Sequence, residues 1–168
     1  ETKTMKKILI ILVLPLLLGV ACTQTKMIDD NGDNDSPNIE SNQSNNKLDL
    51  SNQGLIKVSQ SVFSQTNLQE LDLSGNKLTG ALPAEIRHLQ NLIILDASNN
   101  QMTGVPAEVG QLNKLEILDL SNNQLTGLPH ELGNLQNLKT LNLTGNQVSQ
   151  FDLDIIKQNL PASVNIVK

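Results

Sequence analysis

The sequence predicts an α/β solenoid. About five stacked copies of one short unit and a closing sixth strand place a parallel β-sheet on the concave face and short helical or 3-10 turns on the convex face. Three observations carry that expectation. Leu48, Leu71, Leu95, Leu118 and Leu141 head near-copies of one segment at steps of 23, 24, 23 and 23 residues, and a fixed period in this range marks a stacked-repeat architecture. Each head opens an alternation such as "LDL" or "LNL", the pattern of a short strand with one buried face. The chain of 168 residues has no Trp or Tyr, and Phe63 and Phe151 are its only aromatics. A core made of Leu, Ile and Val suits a thin, layered build better than a deep globule.

A return of 23 residues brings each strand beside the last, parallel and about 4.8 Å away. Five residues after the strand leucines stand Asn76, Asn100, Asn123 and Asn146. The backbone turns inward there, and a buried carboxamide supplies both donor and acceptor to amide groups that the sheet cannot pair. Gln53 fills the slot in the first copy, as suits a looser terminal unit. Pro83, Pro106 and Pro129 open the convex stretches, each expected in the first turn of a short helical or 3-10 segment. Val62 and Phe63 fill the core of the first unit, and Leu132 and Leu135 face inward in "LPHELGNL". An extra residue near Gly80-Ala81 lengthens one unit and should alter only the local convex turn. At the far end, Asp152 is expected to cap a short helix running to about Asn159, with Ile155, Ile156 and Leu160 packed inward. "SVNIVK" supplies the sixth strand, with Val164 placed after Leu141 and Ile166 after Leu143 at the same period of 23.

The pattern Leu-x-x-Leu-x-Leu-x-x-Asn-x-Leu recurs from Leu68, Leu92, Leu115 and Leu138, and Leu115, Leu118, Leu120, Asn123 and Leu125 fill every position of one unit. It resembles the leucine-rich repeat (LRR) family across residues 48–168, and "LTGALP" resembles the plant-type spelling of that repeat. The resemblance implies a right-handed horseshoe and protein–protein or host-surface recognition by the concave face.

The N-terminal quarter reads as an address. Residues 1–4 form an upstream extension. Residues 5–21 combine Met5-Lys6-Lys7, an apolar run and small residues before Cys22, the layout of a signal peptide. The apolar run is shorter than the about 20 residues a transmembrane helix needs, and Pro15 interrupts it; a retained membrane anchor is the other reading. The arrangement resembles a bacterial lipoprotein signal, although Gly19 stands where that pattern prefers Leu. The resemblance implies cleavage before Cys22, lipid on its thiol, and a place in the cell envelope, at the outer membrane or cell surface. Residues 22–46 then form the lipidated cysteine and a disordered polar tether, rich in Asn, Asp and Ser. "DDNGDND" lacks the spacing and closing Glu of a calcium loop. Residues 47–168 form the repeat domain with its C-terminal cap.

The strand positions between buried leucines define a candidate binding face. One column reads Asp49, Asp72, Asp96, Asp119, Asn142 and Asn165; beside it run Lys47, Glu70, Ile94, Ile117, Thr140 and Ser163; a third reads Ser51, Ser74, Ser98, Ser121 and Thr144. Two readings stay open: an acidic groove with Ile94 and Ile117 as an apolar contact for a basic or polar partner, or the ordinary spelling of the repeat. Binding hot spots favour Trp, Tyr and Arg. The face carries none, so recognition is expected to be weak or to depend on avidity.

A net charge of −5 argues against nucleic acid as partner. His88 and His130 fall on convex segments, away from the strand serines and aspartates, so no nucleophile–base pair converges. No cofactor, no metal and no small-molecule substrate are expected. The sequence thus describes a non-catalytic envelope lipoprotein that binds an unidentified protein partner and reaches the membrane through lipid on Cys22. The alternatives are an envelope spacer without a specific ligand and, more remotely, the specificity subunit of an enzyme complex.

Overall fold

The computed structural model describes residues 46–168. The expectations for residues 1–4, for the signal segment 5–21, for Cys22 and for the tether up to residue 45 lie outside the described residues.

Six three-residue strands form one parallel sheet in the order β1 (Lys47–Asp49), β2 (Glu70–Asp72), β4 (Ile94–Asp96), β6 (Ile117–Asp119), β7 (Thr140–Asn142) and β8 (Asn165–Val167). Leu48, Leu71, Leu95, Leu118 and Leu141 are aligned across it by register. The four inner leucines from Leu71 to Leu141 are 0–1% exposed, because each has a neighbouring unit on both sides. Leu48, on the first strand, is half-buried. Two short strands, β3 (Thr79–Gly80) and β5 (Gln101–Met102), pair beside the main sheet. The extra residue near Gly80 therefore joins a second small sheet, with Gly80 itself in the left-handed region at φ +71°.

The return path is a 3-10 segment of five residues in each of four units: Gln60–Ser64, Ala84–His88, Ala107–Gln111 and His130–Asn134. Pro83, Pro106 and Pro129 are extended (ψ 136–146°) and stand just ahead of their segments, so they start the turn from outside instead of occupying it. A proline there sacrifices no helical donor. Phe63, Ile86, Val109 and Leu132 point inward from these segments, followed by Leu89, Leu112 and Leu135, and all are 0–1% exposed. The segments also approach one another backbone to backbone. A Cβ on Gly110 would lie 2.2 Å from the carbonyl oxygen of Glu131 in the next unit.

The last unit departs from the sequence expectation. Its return is a ten-residue α-helix, α1 (Gln150–Asn159), twice the length of the other return segments. The longer element delays the next strand by two residues, so Leu141 pairs with Ile166, Thr140 with Asn165 and Asn142 with Val167. The expected pairing of Val164 with Leu141 and Ile166 with Leu143 is thereby corrected. Ser149, not Asp152, caps the helix: its hydroxyl accepts from the Asp152 amide. Asp152 instead ties the helix to the preceding unit, accepting the Leu128 amide at 3.2 Å. Leu153, Ile156 and Leu160 form the buried face, while Ile155 is only half-buried.

The four asparagines stitch consecutive units. Asn123 Nδ2 donates to the carbonyls of Ala97 at 2.9 Å and Leu120 at 3.0 Å, and its Oδ1 accepts the Met102 amide at 2.9 Å. Asn100 repeats this with Leu73, Ala97 and Leu78. Asn76 does so with Leu50, Leu73 and two amides, Gln53 and Leu55, and Asn146 with Leu120, Leu143 and Leu125. Gln53 is exposed and has no such role; its amide is one of those that Asn76 accepts.

Leaving buried backbone groups unpaired costs about 1–3 kcal/mol each. Asn123→Ala should therefore lower the melting temperature by roughly 5–10 °C, measured by circular dichroism. Exposed Asn134→Ala should leave it nearly unchanged. Gly110→Ala should also destabilise, by forcing the two convex segments apart.

Candidate binding face

Residues two apart in a strand project from the same side of a sheet, so β1 to β8 lay out two columns of outward side chains. The first is Lys47, Glu70, Ile94, Ile117, Thr140 and Asn165; the second is Asp49, Asp72, Asp96, Asp119, Asn142 and Val167. Asn165 thus stands where Ser163 was expected, and Val167 where Asn165 was expected, both consequences of the longer last unit. The third expected column is not a uniformly exposed one: Ser98 and Ser121 are 5% and 6% exposed and belong to the inward turn.

The aspartates have a structural task. Oδ1 of Asp49, Asp72, Asp96 and Asp119 each accepts the amide two residues on, from Ser51, Ser74, Ser98 and Ser121, at 2.8–2.9 Å. Asn142 does the same for Thr144, at 3.2 Å to the amide and 2.8 Å to the hydroxyl. These side-chain turns end each strand and aim the chain toward the asparagine slot. Asn142 Nδ2 also donates to Oδ2 of Asp119 at 2.8 Å. Among the described residues no hydrogen bond reaches Oδ2 of Asp72 or Asp96. The Ser51 amide holds the Asp49 carboxyl below its ordinary value, and the Glu70 carboxylate beside Lys47 raises that ammonium.

The centre of the face is aliphatic. Ile94 and Ile117 are in register on adjacent strands; Ile94 is half-buried and Ile117 is 38% exposed. Thr140 continues the column, half-buried. Ion pairs stand on the first two strands, Lys47–Glu70 at 3.1 Å, and just ahead of β6 and β7, Lys139–Glu116 at 2.6 Å. Both are exposed and contribute little to stability, but they neutralise the nearby cations.

The turn has a further feature that the apolar–polar alternation does not announce. Asn52, Gly75, Asn99, Asn122 and Gly145, the residues just before the Gln53 and asparagine slots, all take positive φ, from 53° to 76°. The signal was present: that position is always Asn or Gly, the two residue types that tolerate the left-handed region. Asn52 and Asn122 lie over the glycines of the following units, where a Cβ on Gly75 or Gly145 would fall 2.2 or 2.4 Å from their Oδ1 atoms.

His88 and His130 lie on the convex segments and are exposed. His130 Nε2 is 3.5 Å from Asp152 Oδ1, and its ring meets the edge of Phe151, a contact between the fourth 3-10 segment and α1. Among the described residues no group of His, Cys, Asp and Glu could hold a metal ion, and no helix is long and apolar enough to cross a membrane.

Comparison with known proteins places this geometry. A family model described as a leucine-rich repeat region matches residues 48–161. A solved leucine-rich repeat protein of Leptospira interrogans is 41% identical with a TM-score of 0.67, covering 72% of this chain and 30% of that one. A plant peptide hormone receptor, RGFR1, solved in complex with RGF2, is 31% identical with a TM-score of 0.58, covering 71% of this chain and 21% of that one. A Neurospora crassa protein, the CCR4-Not complex 3'-5'-exoribonuclease subunit Ccr4, is 52% identical over 52 residues, which are 31% of this chain and 6% of that protein. The chain thus spans less than a third of each of these proteins.

The turn at the end of each strand needs an oxygen acceptor, and Asn142 provides one without charge. Asp96→Asn should therefore keep the melting temperature within about 2 °C of wild type. Asp96→Ala, which removes the acceptor, should lower it by roughly 3–6 °C, for a loss of about 1 kcal/mol. Parallel thermal melts of the two variants make the comparison.

Proposed function

The chain belongs to the leucine-rich repeat family, and from that premise we propose that it is a non-catalytic protein of the bacterial cell envelope that recognises a protein partner through the concave face of its sheet. The observation that carries this reading is the row of outward side chains on six in-register strands. On it an aliphatic pair, half-buried Ile94 and exposed Ile117, sits among carboxylates whose turn bonds leave the second oxygen of Asp72 and Asp96 free of hydrogen bonds among the described residues. Protein recognition is a common use of this fold, and the plant receptor RGFR1 was solved in complex with RGF2. A non-catalytic role is favoured by the separation of His88 and His130, on the convex side, from the strand aspartates. The ribonuclease subunit bears on this little, since the match takes in 6% of it.

In this reading residues 5–21 direct export, Cys22 carries the lipid, residues 22–46 are the tether, and residues 47–168 present the binding face. Lipid chains contribute about 0.8 kcal/mol per buried CH₂, so more than one chain on Cys22 gives stable anchoring. Anchored copies crowded on a surface would make weak contacts effective.

A specific observation favours a second reading, that of an envelope spacer: the aspartate column has a structural use, the Oδ1 bonds to Ser51, Ser74, Ser98 and Ser121. Proximity labelling from the full chain on intact cells separates the two. Recognition predicts labelled neighbours that Ile117→Lys loses while export and melting temperature stay unchanged; an identical set from both forms would leave the spacer. For the anchor, radiolabelled palmitate should enter the wild type and not Cys22→Ser. Equal incorporation would discard lipidation.

A further inference from the structure

The concave face has a chemistry of its own, which selects partners only if that face is the recognition surface. Ile94 and Ile117 stand side by side in register on β4 and β6, and Ile117 remains 38% exposed. On the same strands, two residues further on, stand Asp96 and Asp119, with Asp72 beside them on β2. The nearby cations, Lys47 on β1 and Lys139 just ahead of β7, are engaged by Glu70 and Glu116, and β2, β4 and β6 contain no basic residue. Asn142 engages the second oxygen of Asp119, whereas among the described residues no hydrogen bond reaches that of Asp72 or Asp96. The face is thus an aliphatic step bordered on one side by carboxylates, of which Asp72 also feels the more distant charge of Lys47.

Resting on that recognition role, we propose that this step takes an extended segment of a partner protein with an aliphatic side chain followed, two positions on, by Lys or Arg. Same-face residues in an extended chain are about 6.6–6.8 Å apart, the same spacing that separates Ile94 from Asp96 along β4. One segment lying along the strands therefore sets its aliphatic group on Ile94 and Ile117 and its cation against Asp72 and Asp96 together. An acidic segment meets like charge and is rejected. Salt weakens the contact because the carboxylates are at the surface.

The charge can be tested apart from the fold, since Asn142 already closes the same turn with a neutral side chain. A random heptapeptide library displayed on phage is panned against the immobilised full chain. The strongest enriched sequence is then made as a fluorescent peptide and titrated by anisotropy against wild type, the double variant Asp72→Asn/Asp96→Asn and Ile117→Lys, each first checked for an unchanged melting temperature. Enriched sequences should carry an aliphatic residue and a Lys or Arg two positions apart. The double variant should bind about tenfold more weakly, as two exposed charge contacts would give, with most of the salt dependence gone. Ile117→Lys should abolish binding. Enriched peptides without a basic residue, or equal binding by the double variant, overturn the proposed chemistry; if Ile117→Lys still abolishes binding, the face remains a recognition surface. No enrichment, or peptides that bind Ile117→Lys as well as wild type, overturns both.

Discussion

The constraint on which the molecule rests is the pairing of backbone groups where each three-residue strand turns inward. Strands this short satisfy only a few amides, and the turns after them carry the chain into buried positions such as Asn76, Asn100 and Asn123. A helix would close its own hydrogen bonds; this chain uses the carboxamides of Asn76, Asn100, Asn123 and Asn146. Each of the four bridges its own unit and the one before it. A unit cannot complete its turn alone, so the fold is stable only as a stack, with nearest-neighbour contacts carrying the cohesion.

That same dependence explains what was legible in the sequence. The strand leucines, the asparagine slot and the inward residues Phe63, Ile86, Val109 and Leu132 repeat because every interior unit meets identical neighbours, and a repeated environment leaves a repeated spelling. The last unit has a different environment and a different spelling. Counting by 23 placed Val164 opposite Leu141, but the ten-residue helix moved Ile166 there. Asp152 looked like a cap because it precedes an amphipathic run. The helix begins ahead of it, at Gln150, and Ser149 was the better-placed acceptor. Local pattern cannot decide between two such caps; the packing of α1 against the fourth 3-10 segment does.

The candidate site was legible in composition and less so in its bonding. The columns Lys47 to Thr140 and Asp49 to Asn142 follow from the strand period. That the aspartates each hold an amide two residues on depends on the turn conformation, which continues into the positive φ of Asn52, Asn99 and Asn122 one residue further on. Those angles lie beyond the alternation of apolar and polar residues, though the recurrence of Asn and Gly at one position was a cue. The burial of Ser98 and Ser121 has the same origin, since the chain has already left the sheet plane there.

The double use of the aspartates bears on why the face is acidic at all. Asn142 shows that a neutral side chain closes the turn, so geometry asks for an oxygen and not for a charge. Charge has a cost here: neighbouring carboxylates on adjacent strands repel one another, less under salt. It also has a return, because an ionised acceptor makes a stronger bond to an amide than a neutral one does. The lowered pKa of Asp49, caused first by the Ser51 amide, is the visible sign of that return. The two effects are opposite in sign. Each turn uses one oxygen of its carboxylate, and Asn142 holds the second oxygen of Asp119 as well. The proposed recognition role therefore asks nothing of the atoms that close the turns, since each turn bond uses only Oδ1.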